Sequence, residues 1–160
     1  MSIEKVKQYF KRFAIENRIK EFDVSSATVE LAAKALNCEP CRIAKSLSFK
    51  ISDNKAIIIV AAGDVRVDNK KFKNFFQKKL KMLSGAEVKE FTGHEIGGVC
   101  PFAVNDGTDV YLDISLKRFN TVFPACGSSN SAIEMNMEEL EKYSSNFKQW
   151  IDVCKRNDRL

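Results

Sequence analysis

The sequence predicts one mixed α+β domain whose strands pair mostly antiparallel. Segments with helical apolar spacing are interspersed with segments of period two. The candidate strands are joined by short turns, which favours antiparallel neighbours. A chain of 160 residues with 44% hydrophobic residues can bury one core, and no repeat, low-complexity tract or linker marks a second domain.

Ile3, Val6, Phe10, Phe13 and Ala14 fall on one helical face, so residues 3–17 are expected to form an amphipathic helix. Residues 19–24 make a short strand candidate. Residues 28–36 have helix-favouring composition and Asn37 is a plausible stop. Glu39-Pro40 can open a further short helix through Ala44, because proline suits a first turn. From Ser46 the period becomes two: Leu47, Phe49 and Ile51 alternate with Ser46, Ser48 and Lys50. Residues 52–54 then form a turn and 56–62 a buried strand, together a hairpin.

Asp68 suits the N-cap of a helix running to about Leu80. Phe72, Phe75, Phe76 and Leu80 share one face of it, with Lys70, Lys71, Lys78 and Lys81 opposite. Residues 93–101 read as loop, punctuated by Gly97-Gly98 and Pro101. Strand candidates follow at 110–114, 122–125 and 132–135. Asn136 with Glu139 resembles a capping box and places a helix at 137–143. Phe147, Trp150, Ile151 and Cys154 line one face of an expected final helix.

Composition narrows the classes of function. The longest apolar run, 56–62, has seven residues and is far too short for a membrane span. The first residues mix charge and apolar side chains and lack a signal-peptide core. Five cysteines without an export signal point to reduced thiols and a cytoplasmic protein. The net charge of +5 suits a polyanionic partner without requiring one. No P-loop, Rossmann glycine pattern or Ser–His–Asp set occurs.

Lys45 is the most informative residue. If the strand begins one residue before Ser46, parity turns the Lys45 ammonium inward with Leu47, Phe49 and Ile51. That is costly unless the ammonium is paired or lines a wet cavity. There it could bind a carbonyl, phosphate or carboxylate, or serve as a base. Alternatively, residues 42–45 finish a helix and Lys45 caps its C-terminal end.

Gly97-Gly98-Val99-Cys100-Pro101-Phe102 is either a ligand-approach loop or a plain turn. Gly127-Ser128-Ser129-Asn130 can present N–H groups to an oxyanion or ribose, or simply turn a hairpin. Asp64, Arg66 and Asp68 alternate at a strand end; Asp68 is accounted for as an N-cap, and Arg66 is left open as a phosphate contact. Cys38-Glu39-Pro40-Cys41 resembles half a metal site or a dithiol pair, but no second pair accompanies it. His94, the sole histidine, reads as a surface residue of a polar loop. The lysine face over 69–81 is a solvated face or an RNA-backbone contact, through Lys70, Lys71, Lys78 and Lys81.

Read together, several blocks resemble a known family. They are 28–36, 43–47, 62–68, 92–102 and 127–130 with Ile133-Glu134-Met135, in that order. This pattern is similar to the YbaK/ProX family of aminoacyl-tRNA deacylases, the prolyl-tRNA-synthetase-associated editing domain, over roughly residues 20–143. The resemblance implies one such domain over 1–160, a barrel-like mixed sheet surrounded by helices. It implies hydrolysis of the ester joining a wrong amino acid to tRNA, with Lys45, Gly98, Gly127 and Ser128 as catalytic residues. Substrate contacts would come from Thr28, Ser46, Asp64 and Arg66, from Gly97, Val99, Cys100, Pro101 and Phe102, and from Ser129 and Asn130. Neither metal nor cofactor is called for; the implied partners are mischarged tRNA and prolyl-tRNA synthetase, not DNA or membrane.

An aminoacyl ester is already labile, so positioning and oxyanion stabilisation can suffice. Ser46 stands where many relatives have Thr or Asn, Cys100 where Ser or Pro is common, and Asn130-Ser131 replaces Asn-His or Arg-rich versions. These departures leave the edited amino acid open among small residues such as cysteine and alanine. A non-catalytic module that binds tRNA or aminoacyl-adenosine is the alternative, and a dithiol redox protein a more distant one.

Overall fold

The computed structural model describes residues 2–157. Its centre is a hairpin of β2 (Ile43–Ser52) and β3 (Lys55–Ala62), in register from Ala44↔Ala62 to Lys50↔Ala56. Residues 56–62 of β3 are buried throughout, because Ala-Ile-Ile-Ile-Val-Ala-Ala is apolar on both faces and rich in β-branched side chains. The outer edge of β3 pairs in parallel with β5 (Asp109–Asp113), and β5 in turn with β9 (Phe147–Ile151). On the other side β2 pairs in parallel with β6 (Thr121–Pro124), and β6 antiparallel with β8 (Met135–Asn136). The result is a curled six-stranded half-barrel in the order β8-β6-β2-β3-β5-β9. Two small antiparallel pairs complete it: β1 (Lys20–Glu21) with β7 (Ser131–Ala132), and β4 (Val65–Val67) with β10 (Cys154–Arg156). The mixed α+β class is as expected.

Five helices surround this sheet. α1 (Ser2–Lys11) ends early because Ala14 takes a left-handed conformation, φ 58°. The expected helix over 3–17 is thereby cut short, and the expected strand over 19–24 shrinks to β1. α2 (Val29–Leu36) begins one residue later than expected, because Thr28 is its N-cap, with Oγ1 accepting the Leu31 N–H; Asn37 closes the helix as expected, in the left-handed region. The helix expected through Ala44 is only a 3-10 turn, Pro40–Arg42, and β2 starts at Ile43. α3 (Asn69–Phe76) is capped by Asp68 as expected but stops four residues early, where Gln77 adopts φ 57°. Lys78 and Lys81 therefore leave the helix. α5 (Met137–Tyr143) carries the expected Asn136/Glu139 capping box.

Two departures are instructive. α4 (Gly85–Thr92) was not expected, although Ser84 and Glu87 form a capping box and Gly93 closes it at φ 83°. The expected C-terminal helix is instead β9 and β10. On β5 the register advances two residues, Val110 to Leu112, while on β9 it advances three, Phe147 to Trp150. A bulge absorbs the extra residue, so a strand displays the i, i+3 apolar spacing of a helix. The candidate strand over 132–135 is likewise split between β7 and β8, which pair with different partners.

Phe72 fixes α3 to the sheet, fully buried with its ring 5.3 Å from Phe49 and 4.6 Å from Phe76. Phe72→Ala is expected to destabilise the fold by about 3–5 kcal/mol, measured by urea unfolding.

Candidate functional site

A cavity of about 390 Å3 opens between β2, α2 and the loop that follows α4. This is within the range of about 300–1,000 Å3 common to ligand pockets. Most of its wall is apolar, from Ala32, Ile43, Leu47, Val88 and Phe123, and its polar groups are few: Ser26, Thr28, Lys45, Ser46, Ser48 and Ser131. Met82 and Ile96, 58% and 70% exposed, also line it.

Lys45 is a strand residue paired across to Ala61, so it caps no helix. It lines the cavity, half-buried, and its Nζ donates to the Val65 carbonyl. Burial pulls its pKa below the usual lysine value, with Cys154, Asp64 and Glu30 opposing. The neighbouring Ser46 Oγ is buried without a hydrogen-bond partner among the described residues. An orphaned hydroxyl on a cavity wall is a group that a polar ligand would satisfy.

The two glycine loops meet beside this cavity. A Cβ on Gly98 would lie 2.8 Å from the Gly127 carbonyl and the Ser128 nitrogen, so only glycine permits that approach. Gly127 has φ +91° and sits equally tightly on the Ser2 carbonyl. The Gly98 N–H is taken by the Glu95 carbonyl at 3.0 Å, whereas the N–H groups of Val99, Ser128 and Ser129 have no partner among the described residues. The Ser128 hydroxyl donates within its own loop, to Asn130 Oδ1 at 2.9 Å or Ser131 Oγ at 2.7 Å. Asn130 Nδ2 donates to the Phe22 carbonyl, and the Ser129 carbonyl accepts the Ser26 N–H at 2.6 Å. The loop is thus clamped to residues 22–26.

Of the expected contact residues, the structure brings Thr28, Lys45, Ser46, Gly97 and Val99 to the cavity wall. Gly98, Gly127, Ser128, Ser129 and Asn130 do not line it, although Gly98 packs on Gly127 and Gly97 adjoins Ser129. Cys100, Pro101 and Phe102 do not reach the cavity; they are buried beneath the loop, where the Phe10 ring packs 4.7 Å from Phe102. Burial pushes the Cys100 thiol up to about 12. Asp64 is also removed from the cavity. It is buried, chelated by Arg118 with an N–O distance of 2.9 Å and approached by Arg156, and Arg118 holds its carboxyl below the usual range. Arg66 lies on β4 opposite Lys155, away from the cavity wall.

A second hollow of about 430 Å3, lined by Lys71, Arg118 and Arg156 among others, has cations already matched to Asp152 and Asp64. Cys38 and Cys41 are free, with thiols raised by burial, the opposite of an activated dithiol. Among the described residues no three of His, Cys, Asp and Glu converge as a metal site. No helix among them is long and apolar enough to cross a membrane.

Sequence reasoning missed Ser26, Ser48, Met82 and Ile96. Only Ser48 left a signal, by its alternation with Leu47 and Phe49. His94, expected at the surface, is fully buried under the Gly97–Pro101 loop, with Nε2 2.8 Å from the Phe102 carbonyl and 3.5 Å from Cys100 Sγ.

The structure is thus a curled half-barrel with a lysine at an apolar cavity beside two interlocked glycine loops. Residues 23–143 match the aminoacyl-tRNA editing domain, and the chain belongs to that family. It is 56% identical over 155 residues to the protein YwhH of Bacillus subtilis (strain 168), covering 97% of this chain and 98% of that one. A proline–tRNA ligase of Bacillus cereus (strain AH820) is 28% identical over 103 residues, 64% of this chain but 18% of the ligase. Among solved structures, one described as a candidate trans-editing enzyme for prolyl tRNA synthetase superposes with a TM-score of 0.84 at 27% identity. That similarity covers 96% of this chain and 97% of the other.

Burial depresses the pKa of His94, with the Phe102 carbonyl opposing and Lys5 adding to the depression. The unfolded chain therefore takes up this proton near the ordinary value of 6.5, the folded chain only at lower pH. Stability contributed by neutral His94 is expected to fall as pH drops below about 6.5 and to level off below the folded pKa. Urea unfolding of wild type and His94→Gln between about pH 7 and about pH 5 checks this: the difference between them should narrow on acidification.

Proposed function

We propose that this protein hydrolyses the ester of a mischarged tRNA, releasing a small amino acid such as cysteine or alanine, with tRNA(Pro) as the carrier. Family membership supports the chemistry. The single observation that carries it to this site is Lys45: a half-buried ammonium at a ligand-sized cavity, resting on a backbone carbonyl beside the unsatisfied Ser46 hydroxyl.

The Val65 carbonyl marks an acceptor position that the ester carbonyl or a terminal ribose oxygen would take on binding. Water attacks the ester carbon, and the developing oxyanion is received by the free N–H groups of Val99, Ser128 or Ser129. Collapse of the tetrahedral intermediate expels the ribose oxygen and frees the amino acid. Gly98 and Gly127 contribute by close backbone approach, since the Gly98 N–H is already engaged. A tRNA ribose hydroxyl, or the thiol of a cysteinyl group, can help to activate the water. The short apolar walls favour small side chains, and a group held in place needs no strong nucleophile to react at a labile ester.

The test is a panel of Cys-tRNA(Pro), Ala-tRNA(Pro) and Pro-tRNA(Pro). Selective turnover of a mischarged species is expected, with Pro-tRNA(Pro) spared. Binding without release across the panel would instead make this a non-catalytic module. Lys45→Ala should lower kcat/KM by about 100-fold; a near-wild-type rate would remove Lys45 from the mechanism. The Lys45-dependent part of the rate should fall as pH rises through a value below the usual 10.5, because the ammonium is the active form and burial lowers its pKa. A lysine-dependent rate that holds level to 10.5 would contradict this.

A further inference from the structure

Residues 69–82 hold six lysines and no acidic residue. That is one positive charge more than the net +5 of the whole chain, so the remainder is net −1. All six lysines are exposed. The Lys71 ammonium is engaged with Asp152 and the Cys154 carbonyl, whereas the ammonium groups of Lys70, Lys73, Lys78, Lys79 and Lys81 have no hydrogen bond or ion pair among the described residues. Elsewhere lysines commonly have acidic partners, as Lys7, Lys50, Lys55, Lys89 and Lys155 do.

The segment is a fixed strap. Phe72, Phe76 and Leu80 pack on the core, Lys71 ties its start to β10, and the Lys81 carbonyl accepts the Lys50 N–H at 2.8 Å. Phe49 and Met82 bridge the strap to β2, and Met82 lines the cavity. One helix of eight residues and the stretch after it give a path of at most about 30 Å ending at the cavity.

We propose that this strap is the docking track for the phosphate backbone of the tRNA whose 3′ end enters the cavity. The choice of RNA rests on the deacylase reading. Unpaired, exposed cations on a rigid support bind phosphates without reading sequence, as a substrate defined by its acyl end requires. A membrane surface fits less well: an inserting helix presents its apolar face outward, and here Phe72 and Phe76 face the core, leaving Phe75 at 38% exposure.

The test compares wild type with the triple variant Lys73→Gln/Lys78→Gln/Lys79→Gln, whose circular dichroism should be unchanged. Affinity for uncharged tRNA(Pro), followed by fluorescence anisotropy across salt concentration, should drop about tenfold at low salt, with the log–log salt slope reduced by about 2–3. KM for mischarged tRNA should rise while kcat holds. Hydrolysis of a 3′-aminoacyl-adenosine, too short to reach the strap, should not change. The corresponding triple arginine variant should restore tRNA affinity. Unchanged tRNA affinity in the glutamine variant would overturn the proposal. So would loss of binding to phosphatidylserine vesicles with tRNA binding intact, which would make the strap a membrane contact. If wild type hydrolyses neither ester yet its tRNA affinity depends on these lysines, the docking track stands and the deacylase reading falls.

Discussion

The constraint on which the fold depends is the complete burial of β3. Seven consecutive apolar residues leave no side chain to face water, so both faces must be covered and both backbone edges paired. β2 supplies one edge through the hairpin and β5 supplies the other in parallel. A parallel neighbour needs a long return connection, and residues 63–108 provide it, carrying β4, α3 and α4. The lysine strap, and the side of the cavity formed by Met82, Val88 and the loop after α4, thus belong to the crossover that the buried strand makes necessary.

The same hairpin places Lys45. Being two residues into β2, it stands opposite Ala61, and the small side chains around it leave room for a cavity rather than a packed layer. Its ammonium is partly desolvated but not abandoned, because the Val65 carbonyl accepts from it. β4 is held in turn by β10, and the turn before it by Asp64 between Arg118 and Arg156. Asp64 therefore serves the site from a distance, as a clamp on the backbone that receives the lysine.

Much of the local structure was legible because local chemistry decides it. Asn37, Asp68 and the Asn136/Glu139 pair cap the helices they were expected to cap. The period-two alternation from Ser46 marks β2, and Lys45 follows from its parity. The glycine pairs were recognisable as loops, but that the loops touch was not, since Gly98 and Gly127 are far apart in the chain. Cys100, Pro101 and Phe102 belong to the same motif as Gly97, yet the motif turns inward after Val99 and Phe102 packs beneath Phe10. His94 shows the converse: a residue of a polar-looking loop is buried against the Phe102 carbonyl, while Glu95 and Ile96 beside it stay exposed.

By itself, then, the sequence determined the mixed fold class, the hairpin, most of the helix caps, a lysine on an inward strand position and a concentration of charge between residues 69 and 82. These depend on interactions among residues a few positions apart. The tertiary structure alone decided that residues 147–156 form β9 and β10 rather than a helix, that β5 pairs in parallel with β3 and β6 with β2, and that Asp64 serves Arg118 instead of lining the cavity. Each of those outcomes depends on a partner distant in sequence, which supplies the backbone hydrogen bonds or the charge that local spacing cannot specify.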